Sequence, residues 1–200
     1  MNAKPKPRMY DNPLMELLSQ SGPKLMITFH SILILIQLYY GYYSAHLSTA
    51  NSLIFLCFVF LSGIIVWSLA EYLLHRKLFH LKGSSNMMKA FHYTLHGYHH
   101  KNPSDANRLF MPPVPALLFL SVFFGFFYLL IGKFVWIFLP GFELGYLMYS
   151  FIHYSIHTRK APKLLQPLWH HHILHHYKAP EKAYGVSSRF WDRVFRTLPE

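Results

Sequence analysis

Four apolar stretches leave this chain few folds to choose from. Residues 25–47, 52–74, 115–131 and 134–153 each approach the ~20 apolar residues with which a helix crosses a bilayer. Hydrophobic residues make up 52% of the chain and aromatic residues 18%, gathered in blocks instead of at amphipathic spacing. A bilayer is therefore the solvent these segments suit, and the expected fold is an all-α membrane protein with four transmembrane helices.

A net charge of +11 suggests nucleic acid until the charges are placed. Eighteen of the nineteen Lys and Arg lie before residue 25, within 76–108, or after 157, and only Lys133 lies elsewhere. Basic residues flanking apolar spans on one side mark the cytoplasmic face, so both termini are expected there and no nucleic-acid partner is needed. No cleavable leader is expected, because residues 1–24 carry Lys4, Lys6, Arg8 and several prolines but no apolar core. Cys57 is the only cysteine and falls in the second stretch, which rules out a disulfide or a cysteine-based zinc site.

The chain thus divides into a cytoplasmic tail (1–24), a transmembrane hairpin (25–74), a polar segment (75–113), a second hairpin (114–157) and a last polar segment (158–200). The tail holds a short amphipathic turn, Leu14, Met15, Leu17 and Leu18, suited to a membrane surface. The hairpin loops are expected at 48–51 and at Gly132 and Lys133, with a kink at Pro140 and Gly141. The two polar segments are expected to form a helical cap on the cytoplasmic face.

Fifteen histidines stand in the chain, thirteen of them in or beside the two polar segments. His75 and His80 form HRKLFH where the second span ends. His96, His99 and His100 form HGYHH, a spacing that shares one helical face. His153 and His157 lie four apart at the end of the fourth span, and His172, His175 and His176 form HILHH. Each group alone is a weak signal, but all four fall at one membrane boundary, where ten imidazoles can meet. Ten neutral nitrogens exceed the capacity of one ion, so two metals with about five histidines each is the economical count. No Glu has a His three positions later, which excludes the usual carboxylate-bridged di-iron arrangement. His30, His46, His92, His170 and His171 fall outside this set, although His92 and His171 each stand four residues before a member of it.

Several acidic and aromatic residues carry open readings. Glu143, inside the fourth span, either lines an acyl pocket or pairs with Gln37 or His30. Glu71 stands one turn before His75 and is a candidate to orient it, as Asp105 and Asp192 are for other histidines; capping or ion pairing with Arg108 or Arg193 is the alternative. Trp169, Tyr177, Tyr184, Phe190 and Trp191 read as an interfacial belt or as a cover for the site.

Two longer runs carry a resemblance. FHYTLHGYHHKNPSDANRLFMPPVPA and HHHILHHYKAPEKAYGVSSRFWDRVFRT resemble the fatty acid 2-hydroxylases, within the fatty acid hydroxylase and sterol desaturase superfamily, over roughly residues 65–198. The first run holds the HGxHH motif followed by Asp105, Arg108, Leu109, Pro112, Pro113 and Pro115. The resemblance implies a membrane monooxygenase that uses two iron ions and O2 to hydroxylate carbon 2 of an acyl chain, free or within a sphingolipid. It implies that the ten histidines named above are the metal ligands, in a cage that zinc can also occupy. Yeast and animal members carry a fused cytochrome b5 domain with a His-Pro-Gly-Gly motif, absent from these 200 residues. Electrons are therefore expected from a separate cytochrome b5-like or ferredoxin-like donor, and a bacterial inner membrane is expected rather than the endoplasmic reticulum. Competing activities are sterol or carotenoid oxidation and acyl desaturation within the superfamily, and a histidine-rich metal transporter outside it.

Overall fold

The computed structural model describes residues 8–45, 50–81 and 83–199, and every regular element among them is helical. A short helix, α1 (Pro13–Leu18), opens the chain, capped by the Asn12 side chain, which accepts the amides of Leu14 and Met15. Two long helices follow, α2 (Pro23–Ala45) and α3 (Ala50–Leu73), then the short α4 (Asn86–His92) and α5 (Tyr98–Lys101). The chain continues through α6 (Pro113–Ile131), α7 (Val135–Thr158), α8 (Gln166–Tyr177) and α9 (Phe190–Val194).

Three runs are long and apolar enough to cross a membrane: Pro23–Ser44, Ser52–Phe79 and Ala106–Thr158. The third contains both α6 and α7, joined at a 3-10 turn over Gly132–Phe134. Gly132 takes φ +55° there, a left-handed backbone that a side chain would resist. Part of the expected first loop, together with the end of the first stretch, lies at 46–49, outside the described residues. α6 starts on Pro113, because a proline in the first helical turn gives up an amide that would have had no partner anyway.

α7 is the central helix. α2 and α3 both pack chiefly on it, so the first pair is not a hairpin whose helices pack chiefly on each other. Small residues allow the approach. A side chain at Gly141 would strike the Phe60 carbonyl, one at Gly63 would strike the Phe138 carbonyl, and Gly145 lies under the Trp67 ring. Close backbone approach through small residues is how helices associate in lipid, where burial of apolar surface gives no net drive. Pro140 sits inside α7, and the helix continues through it.

The remaining helix faces are apolar and open. Leu35, Phe58 and Leu129 are 66%, 69% and 85% exposed, as side chains facing lipid would be. Tyr39, Tyr40, Tyr42 and Tyr43 are exposed at the end of α2, and Tyr40 stacks on Trp136 at 5.3 Å. They mark an aromatic belt at one membrane boundary. The chain is a multi-pass, all-helical membrane protein, and ten of its histidines gather at the other end of the bundle.

Candidate metal centre

Each histidine is placed by local backbone geometry. Beyond α3 the chain winds into a π-helical turn, Leu74–Phe79, in which the His80 amide donates to the His75 carbonyl at 3.3 Å. That five-residue link brings positions five apart above one another, so HRKLFH aims both imidazoles the same way. A second π turn, Tyr93–Gly97, carries His96 and runs into α5 with His99 and His100. His153 and His157 lie one turn apart on α7, and His172, His175 and His176 lie on α8.

All ten imidazoles converge, in two groups of five. One contains His75, His80, His96, His100 and His175; the other contains His99, His153, His157, His172 and His176. Within each group the candidate ligand atoms lie within 4.8 Å of one another. The partition cuts across the motifs. HGYHH sends His96 and His100 to the first group and His99 to the second, whereas HILHH sends His172 and His176 to the second and His175 to the first. The groups adjoin, since the His100 and His176 rings stack at 4.4 Å.

The spacing fits a metal. In the second group the Nε2 atoms of His153, His99, His176, His172 and His157 follow one another at 3.0, 3.0, 3.1 and 3.0 Å. In the first, Nε2 of His75 meets that of His96, and His80 that of His175, each at 3.0 Å. A neutral imidazole has a single N–H, so five inward nitrogens cannot satisfy one another. With metal–nitrogen bonds of about 2.1 Å, ligands at right angles stand ~3.0 Å apart and tetrahedral ones ~3.4 Å. The observed separations are those of nitrogens that would hold one cation per group at near-right angles. His100 Nε2 is buried without a protein partner, as a ligand atom in a metal-free cage would be.

The rings are held neutral. Burial pushes His96, His99 and His172 well below the ordinary imidazole range, with repulsion from neighbouring imidazoles adding to it. Burial brings His100 and His175 down to about 4. Each of these five rings therefore keeps a lone pair available at neutral pH. His75 donates through Nδ1 to the Tyr184 carbonyl at 2.5 Å and His175 through Nδ1 to the Lys182 carbonyl at 2.8 Å. Those bonds turn the Nε2 lone pairs inward.

The acidic residues divide between the readings open to them. Glu71 does not touch His75: it accepts the amides of Val186 and Ser187 at 2.7 and 2.8 Å and the Ser187 hydroxyl. Asp192 accepts from His171 Nε2 at 3.0 Å, from the Thr197 hydroxyl, and from the amides of Tyr184 and Gly185. Burial works against its charge, but these four bonds outweigh it and hold the carboxyl below its ordinary range. Both carboxylates thus pin the 184–187 strap, which presents the Tyr184 carbonyl to His75. Backbone carbonyls take the orienting role that the sequence assigned to carboxylates, because a side chain one turn along a helix was the only partner spacing could suggest. Asp105 pairs with Arg108 and accepts from Tyr98, which is the capping and ion-pair alternative. Tyr184 takes the covering role that was open to it, its ring standing 5.6–5.7 Å from those of His75, His80 and His175, whereas the pairing of His171 with Asp192, distant in sequence, has no local signal.

A cavity of about 290 Å³ leads from the histidines into the bundle. His96, His99 and His153 are among its lining residues, so both groups reach it. Its wall is mostly apolar, with Trp67, Leu120, Phe123 and Phe142 among the lining residues. Glu143 also lines it, and takes both expected partners: His30 Nδ1 at 2.5 Å and the Gln37 amide at 2.7 Å. This buried trio ties α2 to α7.

Residues 60–197 match the family model described as fatty acid hydroxylase. The chain is 39% identical over 145 residues to the fatty acid 2-hydroxylase of Rattus norvegicus, covering 70% of this chain and 39% of that protein. It is 39% identical over 149 residues to the Saccharomyces cerevisiae ceramide very long chain fatty acid hydroxylase SCS7, covering 72% and 38%. The matched part therefore spans well under half the length of these relatives. A solved structure described as full-length scs7p, with only the hydroxylase domain visible, superposes with a TM-score of 0.86 at 31% identity, over 96% of this chain and 71% of that one. These relatives are eukaryotic, so the comparison lends no support to the bacterial membrane expected from the sequence.

Proposed function

The chain belongs to the fatty acid hydroxylase family, and from that premise we propose that it hydroxylates carbon 2 of a fatty acyl chain, free or within a ceramide, at a di-iron centre. The observation that carries the reading is the meeting of two five-nitrogen cages with the end of a mainly apolar cavity. In this reading His75, His80, His96, His100 and His175 hold one ion, and His99, His153, His157, His172 and His176 the other. Iron so held supplies O2 activation, in a net reaction that consumes O2, two electrons and two protons and releases the 2-hydroxy product and water.

The chain's own residues do the rest. Buried neutral imidazoles bind the cations without adding charge. The Tyr184 and Lys182 carbonyls orient two of them, and Glu71 and Asp192 fix the strap that carries Tyr184. Trp67, Phe123 and Phe142 line an apolar slot that takes the acyl tail, excludes water and leaves carbon 2 beside the cages. Four crossings, with both termini and the histidine cap on the cytoplasmic side, agree with the placement of the basic residues. Electrons come from a cytochrome b5-like or ferredoxin-like carrier, which these 200 residues do not contain.

Lipid mass spectrometry of cells with and without the protein tests this reading. A gain of one oxygen on acyl chains, mapped to carbon 2, is the expected result. Loss of two hydrogens instead, or oxidised sterols or carotenoids with unaltered acyl chains, overturns it.

A further inference from the structure

The inner end of the cavity is closed by aromatic rings. Phe123 and Phe142 line it with centroids 4.8 Å apart. Behind them Phe127 stands 5.5 Å from Phe142 and 4.5 Å from Phe138, and both of these backing rings are buried. The wall changes character at the same level, because Glu143 directly follows Phe142 and is bonded to His30 and Gln37. Apolar space for a methylene chain therefore ends where the rings and the polar trio begin.

The depth of that floor can be read along α7. Phe142 precedes His153 by eleven residues of continuous helix, which at about 1.5 Å per residue is roughly 16 Å. A saturated chain with carbon–carbon bonds of about 1.5 Å at about 111° advances roughly 1.25 Å per carbon. Roughly thirteen carbons thus fit between the histidines and the rings. We propose that Phe123 and Phe142 form a chain-length stop that selects acyl chains of about fourteen to sixteen carbons and disfavours those of twenty or more. This rests on the hydroxylase reading above and adds the substrate's length to it. Leu120, which also lines the cavity, stands one helical turn nearer the histidines than Phe123 and sets the same limit from higher up.

The test is equilibrium binding to the full chain in detergent, without metal, of saturated fatty acids from ten to twenty-four carbons, by displacement of a fluorescent fatty acid. The iron-loaded protein is assayed in parallel for 2-hydroxy products. Affinity is expected to peak at about fourteen to sixteen carbons and to fall about tenfold by twenty-four, since a chain longer than the slot must fold back at the rings or draw its head away from the histidines. Phe142→Ala and Phe123→Ala move the optimum to longer chains, and Leu120→Trp moves it shorter by about three or four carbons. Should Phe142→Ala fail to fold, the other two variants carry the test. Equal affinity for fourteen and twenty-four carbons, or an optimum that no folded variant moves, overturns the stop. A clear length optimum in binding with no 2-hydroxy product from the iron-loaded protein supports the stop and overturns the activity.

Discussion

His99 stands inside the second cage, with Nε2 at 3.0 Å from both His153 and His176. His99→Ala is expected to empty the second cage while sparing the first, so that metal content falls from two ions per chain to about one. His175→Ala does the same to the first cage, and either variant abolishes product. Elemental analysis of the purified variants checks the partition, which cannot stand if each retains both ions. Asp192→Asn acts at one remove, weakening the hold on the strap that orients His75. Metal affinity is expected to fall by about ten- to a hundredfold, as is usual for lost outer partners, with the fold retained in circular dichroism. Acid acts on the same rings. In metal-free protein His100 and His175 resist protonation until about pH 4, whereas an unfolded chain protonates them near ~6.5. The unfolded state then binds more protons, so stability is full above that range and is lost as pH falls from about 6.5 toward 4. Thermal melts of metal-free protein across that range follow the loss, and a flat profile contradicts it.

At the scale of elements, the α3–α7 crossing depends on absent side chains. Gly141→Ala places a methyl against the Phe60 carbonyl, a backbone atom that cannot swing away. A loss of about 1–3 kcal/mol is expected, typical of overpacking, seen as a lower melting temperature in detergent. Gly125→Ala, whose new methyl meets nothing, serves as the control and is expected to be neutral or slightly stabilising. The same scale shows where spacing misleads. The four-residue pair on α7 and the HxxHH runs were readable as helix faces because α-helical periodicity is local. HRKLFH was not, since its spacing of five needs a π turn, and nothing in its composition announces one. Glu71 was drawn toward His75 by helical proximity but is spent on Val186 and Ser187, more than a hundred residues away in sequence.

For the whole molecule, the lipid-facing surface makes its own prediction. Cys57 is exposed in the first half of α3, within the apolar run Ser52–Phe79, so in intact membranes it should resist a membrane-impermeant maleimide and react once the protein is dissolved in denaturing detergent. Rapid labelling in intact vesicles would place α3 outside the bilayer. Sequence by itself determined that apolar segments span a membrane, that the histidines cluster at one end, and that ten of them stand at helical or near-helical spacing. Those properties follow from the hydrophobicity of contiguous residues and from local periodicity, which need no knowledge of how the chain closes. Tertiary structure alone decided which five imidazoles share a cage, which carbonyls aim them, that Glu143 takes both of its candidate partners while lining the cavity, and where the cavity stops. Each of those depends on side chains brought together from distant helices, and only the packing of α2 and α3 on α7 and the return of α8 beside α5 bring them within bonding distance.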